Sequence, residues 1–181
     1  TGTLNMLIAA RDAKVKRFVY AASSSAYGDT AELPKHEGIV PKPLSPYAVA
    51  KYTGECYCRA FRASYGLPTV ALRYFNVFGP RQDPNSLYSA VIPKFVTSAV
   101  TDSAPVIFGD GEQTRDFTNI ANVVHANLLA CEAPEHAWGD VCNIGGGTRI
   151  SVNGLCRPIS CAEGTSAQPV YETPRAGHVP A

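Results

Sequence analysis

Two short apolar runs with a well-signalled helix between them constrain the fold more than anything else in the chain. Phe18-Val19-Tyr20-Ala21-Ala22 and Thr69-Val70-Ala71-Leu72-Arg73 are short and lack polar alternation. That is the pattern of strands covered on both faces. Between them, Ser45 is a good N-cap, Pro46 suits the first helical position and Gly66 suits the stop, so a helix is predicted from Ser45 to about Ser64. Strand, helix and strand in this order predict a parallel βαβ unit.

The rest of the chain reads more weakly. Leu4, Leu7 and Ile8 recur at helical spacing, predicting a helix over residues 2–12. Residues 29–44, with Pro34, Pro41 and Pro43, predict a loop, and a long loop follows from Tyr74. Helices are expected over 92–100 and 122–131, strands over 106–108 and 141–144, and an extended piece over 117–120. Gly145-Gly146-Gly147 reads as a turn after a strand, since no G-x-G-x-x-G spacing supports a phosphate cradle. Ser151 caps a weak helix that Pro158 is expected to shorten or kink. The tail from Gln168 reads as extended.

Composition excludes several classes. Hydrophobic residues make up 45% of the 181-residue chain and charged residues 17%, which is globular rather than disordered. A formal net charge of +1 without a basic run argues against nucleic acid or an acidic membrane as partner. No apolar stretch approaches the roughly 20 residues of a membrane span. Cys56, Cys58, Cys131, Cys142, Cys156 and Cys161 have no zinc-type spacing, and the four histidines do not cluster, so no metal is expected. Most of these cysteines sit in apolar stretches, which points to a reduced thiol set and a cytoplasmic location.

The chemistry-bearing stretch runs from Phe18 to Lys51. Its first strand leads into Ser23-Ser24-Ser25, and its helix opens Tyr47-Ala48-Val49-Ala50-Lys51. Tyr47 and Lys51, four apart, share a helix face, about 5–6 Å apart at Cβ. Alone, this spacing describes any amphipathic helix with a lysine stem lying along it. With a hydroxyl brought up from a strand end, it suits moving a proton on and off an alcohol. A free phenol titrates near 10, so a phenol working as a base at neutral pH needs a cation nearby.

The order of these features resembles the extended short-chain dehydrogenase/reductase family, also called the NAD-dependent epimerases and dehydratases. Within it, the chain is most similar to the UDP-N-acetylglucosamine and UDP-glucose 4-epimerases. The matching stretches are Ala21-Ala22-Ser23-Ser24-Ser25-Ala26-Tyr27-Gly28-Asp29, Leu44-Ser45-Pro46-Tyr47-Ala48-Val49-Ala50-Lys51, Leu72-Arg73-Tyr74-Phe75-Asn76-Val77-Phe78-Gly79-Pro80-Arg81-Gln82, Tyr88-Ser89-Ala90-Val91-Ile92-Pro93 and Gly109-Asp110-Gly111-Glu112-Gln113-Thr114-Arg115-Asp116-Phe117.

The resemblance implies an α/β chain, the C-terminal part of a Rossmann-like doubly wound parallel sheet plus a smaller substrate-binding domain. Residues 1–75 would be a partial NAD-binding domain. Residues 76–181 would be mainly substrate-binding, with a return to the first domain around 116–131. The implied activity is C4 epimerisation of a UDP-hexose through a transient 4-keto sugar. Ser23, Tyr47 and Lys51 would be catalytic. Ala21, Ala22, Tyr47, Lys51, Tyr74 and Val77 would contact NAD. Ser24, Ser25, Asn76, Gln82, Ala90, Val91, Ile92, Arg115 and Arg175 would hold the UDP-sugar, the arginines because their planar fork suits a diphosphate. A homodimer is expected by analogy.

Against that pattern, the Gly-rich dinucleotide loop and the acidic residue expected about 20 residues later do not occur in this chain. Residue 1 therefore corresponds to roughly the middle of the cofactor domain. A fragment unable to hold NAD alone is the non-enzyme alternative. Another nucleotide-sugar epimerase or dehydratase is the enzyme alternative, with dehydratases disfavoured because Ser24 and Ser25 are not acidic.

Overall fold

A computed structural model describes residues 1–85, 91–165 and 167–173. In chain order its elements are α1 (Gly2–Asp12), β1 (Phe18–Ser23), a 3₁₀ turn (Ser24–Tyr27), α2 (Pro46–Tyr65), β2 (Thr69–Tyr74) and β3 (Val77–Phe78). Then come α3 (Val91–Val100), β4 (Val106–Phe108), β5 (Thr114–Asp116), β6 (Thr118–Asn119) and α4 (Ile120–Cys131). A second 3₁₀ turn (Glu135–Ala137) precedes β7 (Val141–Ile144), β8 (Arg149–Ser151), α5 (Val152–Glu163) and β9 (Val170–Glu172).

The chain divides into two compact units, Thr1–Phe75 with Ala121–Ile144, and Asn76–Ile120 with Gly145–Ala181. The segment Ala121–Ile144 belongs to the first unit. Within it β7 supplies the strand that joins the first sheet.

In the first unit, β1, β2 and β7 form a parallel sheet in the order β1-β2-β7, with Ala22 opposite Arg73 and Ser23 opposite Tyr74. The sheet is covered on both faces, as its unbroken apolar runs require. On one face Leu7, Ala10, Cys58, Phe61 and Leu67 form a core with Phe18 and Tyr20 beside it. On the other, Val70 and Leu72 pack against Ala126 and Ala130 of α4. Alternation along β2 turns Thr69 and Arg73 toward α2, where Thr69 Oγ1 donates to Cys58 O at 2.9 Å. Each large side chain buried here, such as Leu7 or Phe61, contributes about 1.5–3 kcal/mol. The α2 signals act as written: Ser45 Oγ accepts from Ala48 N at 3.1 Å, and Gly66 ends the helix at φ +68°.

In the second unit, α3 and α5 pack through Phe95, Val152 and Cys156 around Ile107 of β4. Three small pairings complete it: β3 with β6, β4 with β9, both parallel, and β5 antiparallel to β8. Ser151 caps α5, accepting from Gly154 N at 3.0 Å. Pro158 does not end this helix, which continues to Glu163. A mid-helix proline costs about 3 kcal/mol, and the burial of Val152 and Cys156 in this core works against that cost.

Among the described residues no helix is long and apolar enough to cross a membrane, and no group of His, Cys, Asp and Glu is arranged to hold a metal. Cys58 is buried on α2, and burial, reinforced by the charge of Glu55, pushes its thiol from 9.0 up to about 12. Thiolate-directed alkylation followed by mass spectrometry at pH 8 is expected to modify the exposed Cys56, Cys131 and Cys161, and Cys58 only after unfolding. The folded state keeps a proton that the unfolded chain releases near 9. The Cys58 contribution to stability is thus whole below pH 9 and declines as pH rises toward 12.

Candidate active site

The centre of the site lies in the first unit, where α2 lies over the ends of β1 and β2. Tyr47, Lys51 and Glu55 follow one another at four-residue steps on the same helix face. Lys51 Nζ donates to Ala21 O of β1 at 2.7 Å. That bond places the ammonium between two rings, 5.8 Å from the Tyr47 centroid and 5.7 Å from the Tyr20 centroid. Burial raises the Tyr20 phenol above its ordinary value, so Tyr20 stays protonated and is unsuited to be a base. Tyr47 is 52% exposed. It is the phenol that a substrate in solution can reach.

The serine trio divides between two elements. Ser23 ends β1, and its Oγ accepts from Ser25 N at 3.2 Å and from Ser25 Oγ at 2.9 Å. Ser24 and Ser25 open the 3₁₀ turn, which packs against α2. Ser23 therefore works as the cap of that turn, with both lone pairs engaged by Ser25, while its own proton stays available to donate. Gly28 ends the turn at φ +63°, ψ −148°, a region that essentially only glycine occupies, and a Cβ there would meet Lys42 O at 1.9 Å. Gly28→Ala is expected to lower the unfolding free energy by at least about 1–3 kcal/mol in urea titration, the strain component alone.

Of the residues expected at the cofactor, Ala21 and Ala22 lie on β1 with Lys51 tied to the first of them. Tyr74 ends β2, and its hydroxyl meets the Asn127 side-chain amide, with Nδ2 at 2.9 Å. Val77 opens β3 in the second unit.

The expected sugar-nucleotide residues outside the trio belong to the second unit. Asn76 takes a positive φ of 22°, and its Nδ2 donates to Asp116 O at 2.8 Å. Gln82 Nε2 donates to Val77 O at 3.2 Å, while its Oε1 is buried with no hydrogen-bond partner. Val91 and Ile92 open α3. Ala90 and Arg175 lie outside the described residues. Arg115 is half-buried on β5 and is lowered below its ordinary value, by burial first and by the charge of Arg149 second.

Three participants escaped the sequence reading. Arg149, on β8, brings a second guanidinium near Arg115 and donates to Thr114 Oγ1; only the pairing of β5 with β8 makes it visible. Asp116 accepts from Gly146 N at 2.7 Å and from Gly147 N at 3.0 Å. The glycine loop is thus no phosphate cradle, because a carboxylate already holds its amides.

Glu55 is the third, 3% exposed and bound twice by Arg73: Nε to Oε1 at 3.0 Å and Nη2 to Oε2 at 2.6 Å. Burial alone would lower the Arg73 guanidinium, but Glu55, assisted by Tyr27, raises it overall. Its four-residue step beyond Lys51, on the face that also carries Cys58, was the available signal.

The model of the family described as "NAD dependent epimerase/dehydratase family" matches residues 1–145. The UDP-N-acetylglucosamine 4-epimerase of Methanobrevibacter ruminantium, solved with UDP-N-acetylmuramic acid, superposes with a TM-score of 0.93 at 39% identity, over 98% of this chain and 56% of that one. The UDP-glucose 4-epimerase of Thermotoga maritima, solved with UDP-glucose, gives 0.92 at 38%, over 99% and 57%. A curated UDP-glucose 4-epimerase of Mycolicibacterium smegmatis is 34% identical over 177 residues, which is 97% of this chain and 56% of that protein. The chain spans about half the length of the curated relatives it matches.

Proposed function

The chain belongs to the NAD dependent epimerase/dehydratase family, and we propose that in its whole protein it serves an enzyme that inverts C4 of a UDP-hexose through a transient 4-keto sugar, with UDP-glucose/galactose or the N-acetylated pair as substrate. The observation that carries the reading is the placement of the Lys51 ammonium, 5.8 Å from the ring of an exposed Tyr47 and tied to the strand that delivers Ser23. On this reading the ammonium faces the charge that develops as the proton moves. Tyr47 therefore takes the proton of the sugar 4-hydroxyl, and Ser23 bonds that same oxygen while it loses its proton.

These residues fit a nicotinamide nucleotide. Lys51 spends one of three N–H donors on Ala21 O and keeps two for ribose hydroxyls. Ala21, Ala22, Tyr74 and Val77 would line the nicotinamide end. NAD, when bound, supplies the two-electron acceptor for the C4 hydrogen. For the substrate, Ser24, Ser25, Asn76 and the buried Gln82 Oε1 offer sugar and nucleotide contacts. Arg115, crowded by the Arg149 charge, favours an anion such as a diphosphate. Arg175 and Ala90 complete the expected set. A homodimer fits the same reading, since α1 and α2 leave Met6, Ile8 and Val49 exposed.

The test uses the whole protein that carries this chain. Purified material is examined for bound NAD by absorbance and mass, then incubated with UDP-glucose and with UDP-N-acetylglucosamine while the C4 epimers are separated. Cofactor-loaded protein that forms either epimer supports the reading. Protein that holds NAD yet leaves both sugars unchanged, or that holds none and turns over neither, defeats it.

A further inference from the structure

Among the described residues, Glu55 and Arg73 form the one ion pair buried on both sides, each side chain 3% exposed. Burying two charges is expensive and seldom a net source of stability, so the position of the pair bears on its use. Glu55 lies one helical step beyond Lys51 and two beyond Tyr47 on the same face of α2. Arg73 lies on β2, opposite Ala22 and one residue before Tyr74.

The same guanidinium also reaches the serine turn, its carbon 4.5 Å from the centroid of the Tyr27 ring. Arg73 Nη1 has no hydrogen-bond partner, and the electron-rich ring face meets the charge instead. Tyr27 is itself fixed, 1% exposed, its hydroxyl donating to Asn143 Oδ1 at 2.7 Å. Asn143 in turn donates from Nδ2 to Lys35 O at 3.1 Å and from its backbone N to Glu37 Oε1 at 2.6 Å. One planar cation thus joins the helix carrying Tyr47 and Lys51, the strand ending at Tyr74 and the turn carrying Ser24 and Ser25.

We infer that Glu55 and Arg73, with Tyr27, are positioning residues that set the register of the Tyr47–Lys51 helix against the Ser23 turn. The inference rests on the proposed reaction, because it assigns the pair to the geometry of that proton transfer. Bidentate geometry is what makes it suitable: a guanidinium–carboxylate fork fixes distance and angle together, whereas a lysine at the same place fixes neither. A misplacement of about 1 Å at a reacting centre costs up to ~10²-fold in rate, so small slippage of α2 appears in kcat before it appears in folding.

The experiment compares the whole NAD-loaded protein with R73K, E55Q, R73K/E55Q and the apolar double variant E55M/R73M. Folding is followed by far-UV circular dichroism and by tryptophan emission, to which Trp138, the single tryptophan of these 181 residues, contributes with the Arg17 and Arg62 guanidinium groups over its ring in the same unit. For R73K and E55Q the expectation is a kcat at least tenfold lower, with KM for the UDP-sugar within twofold. R73K/E55Q is expected to be no slower than the slower single variant, since both remove one arrangement. E55M/R73M is expected to recover the melting temperature and leave kcat low.

Wild-type kcat in a folded R73K, or in E55M/R73M with a restored melting temperature, overturns the inference and leaves the pair a structural tie. Should E55M/R73M not fold, R73K with unchanged Trp138 emission decides. A fully active Y47F would instead defeat the proposed reaction, whatever the pair does.

Discussion

Y47F in the whole protein is expected to lower turnover of the UDP-sugar by about 10²–10⁴-fold, the usual contribution of a positioned acid–base group. The variant removes one oxygen from a ring that is 52% exposed, so its stability should stay within about 0.5 kcal/mol of the parent. Lys51 remains held by Ala21 O and keeps its two other donors. Steady-state kinetics beside a denaturant titration separate the two effects. A Y47F enzyme at the parental rate would mean that the phenol is a bystander, and Ser23 or a water would then have to carry the proton.

E55A carries the largest expected effect on stability. The truncation leaves Arg73 charged, 3% exposed and without its carboxylate, which costs about 3–5 kcal/mol. For a chain of this size that corresponds to a fall of roughly 6–20 °C in melting temperature, at about 2–4 °C per kcal/mol. Trp138 emission is the appropriate probe, because its ring is clamped in the unit that contains the pair. A shift below about 1 kcal/mol would show that water enters to solvate Arg73, and that the pair is less sealed than its exposure indicates.

Local signals carried the βαβ unit. A cap, a first-turn proline, a terminal glycine and two uniformly apolar runs each act within a few residues, so α2, β1 and β2 were legible almost to their ends. The short pairings were not. Val77–Phe78 against Thr118–Asn119, and Thr114–Asp116 against Arg149–Ser151, join segments about 35–40 residues apart and are two or three residues long, below what periodicity can register.

The same limit hid Arg149 and the carboxylate that ties down the glycine loop. Pro158 misled for a different reason: its intrinsic cost is real, but the packing of α5 against α3 overrides it. Tyr47 and Lys51 were legible because one helix places both, and the pairing of Glu55 with Arg73 was not, because it depends on which face of β2 turns toward α2.

The seat that Asp116 occupies has a consequence of its own. Its two oxygens present to Gly146 and Gly147 the charge and spacing that an inorganic oxyanion would bring. With that carboxylate in place, both amides already have an acceptor, and a second anion has no donor to gain there. Substituting the acid by alanine removes that carboxylate and leaves the two amides without it.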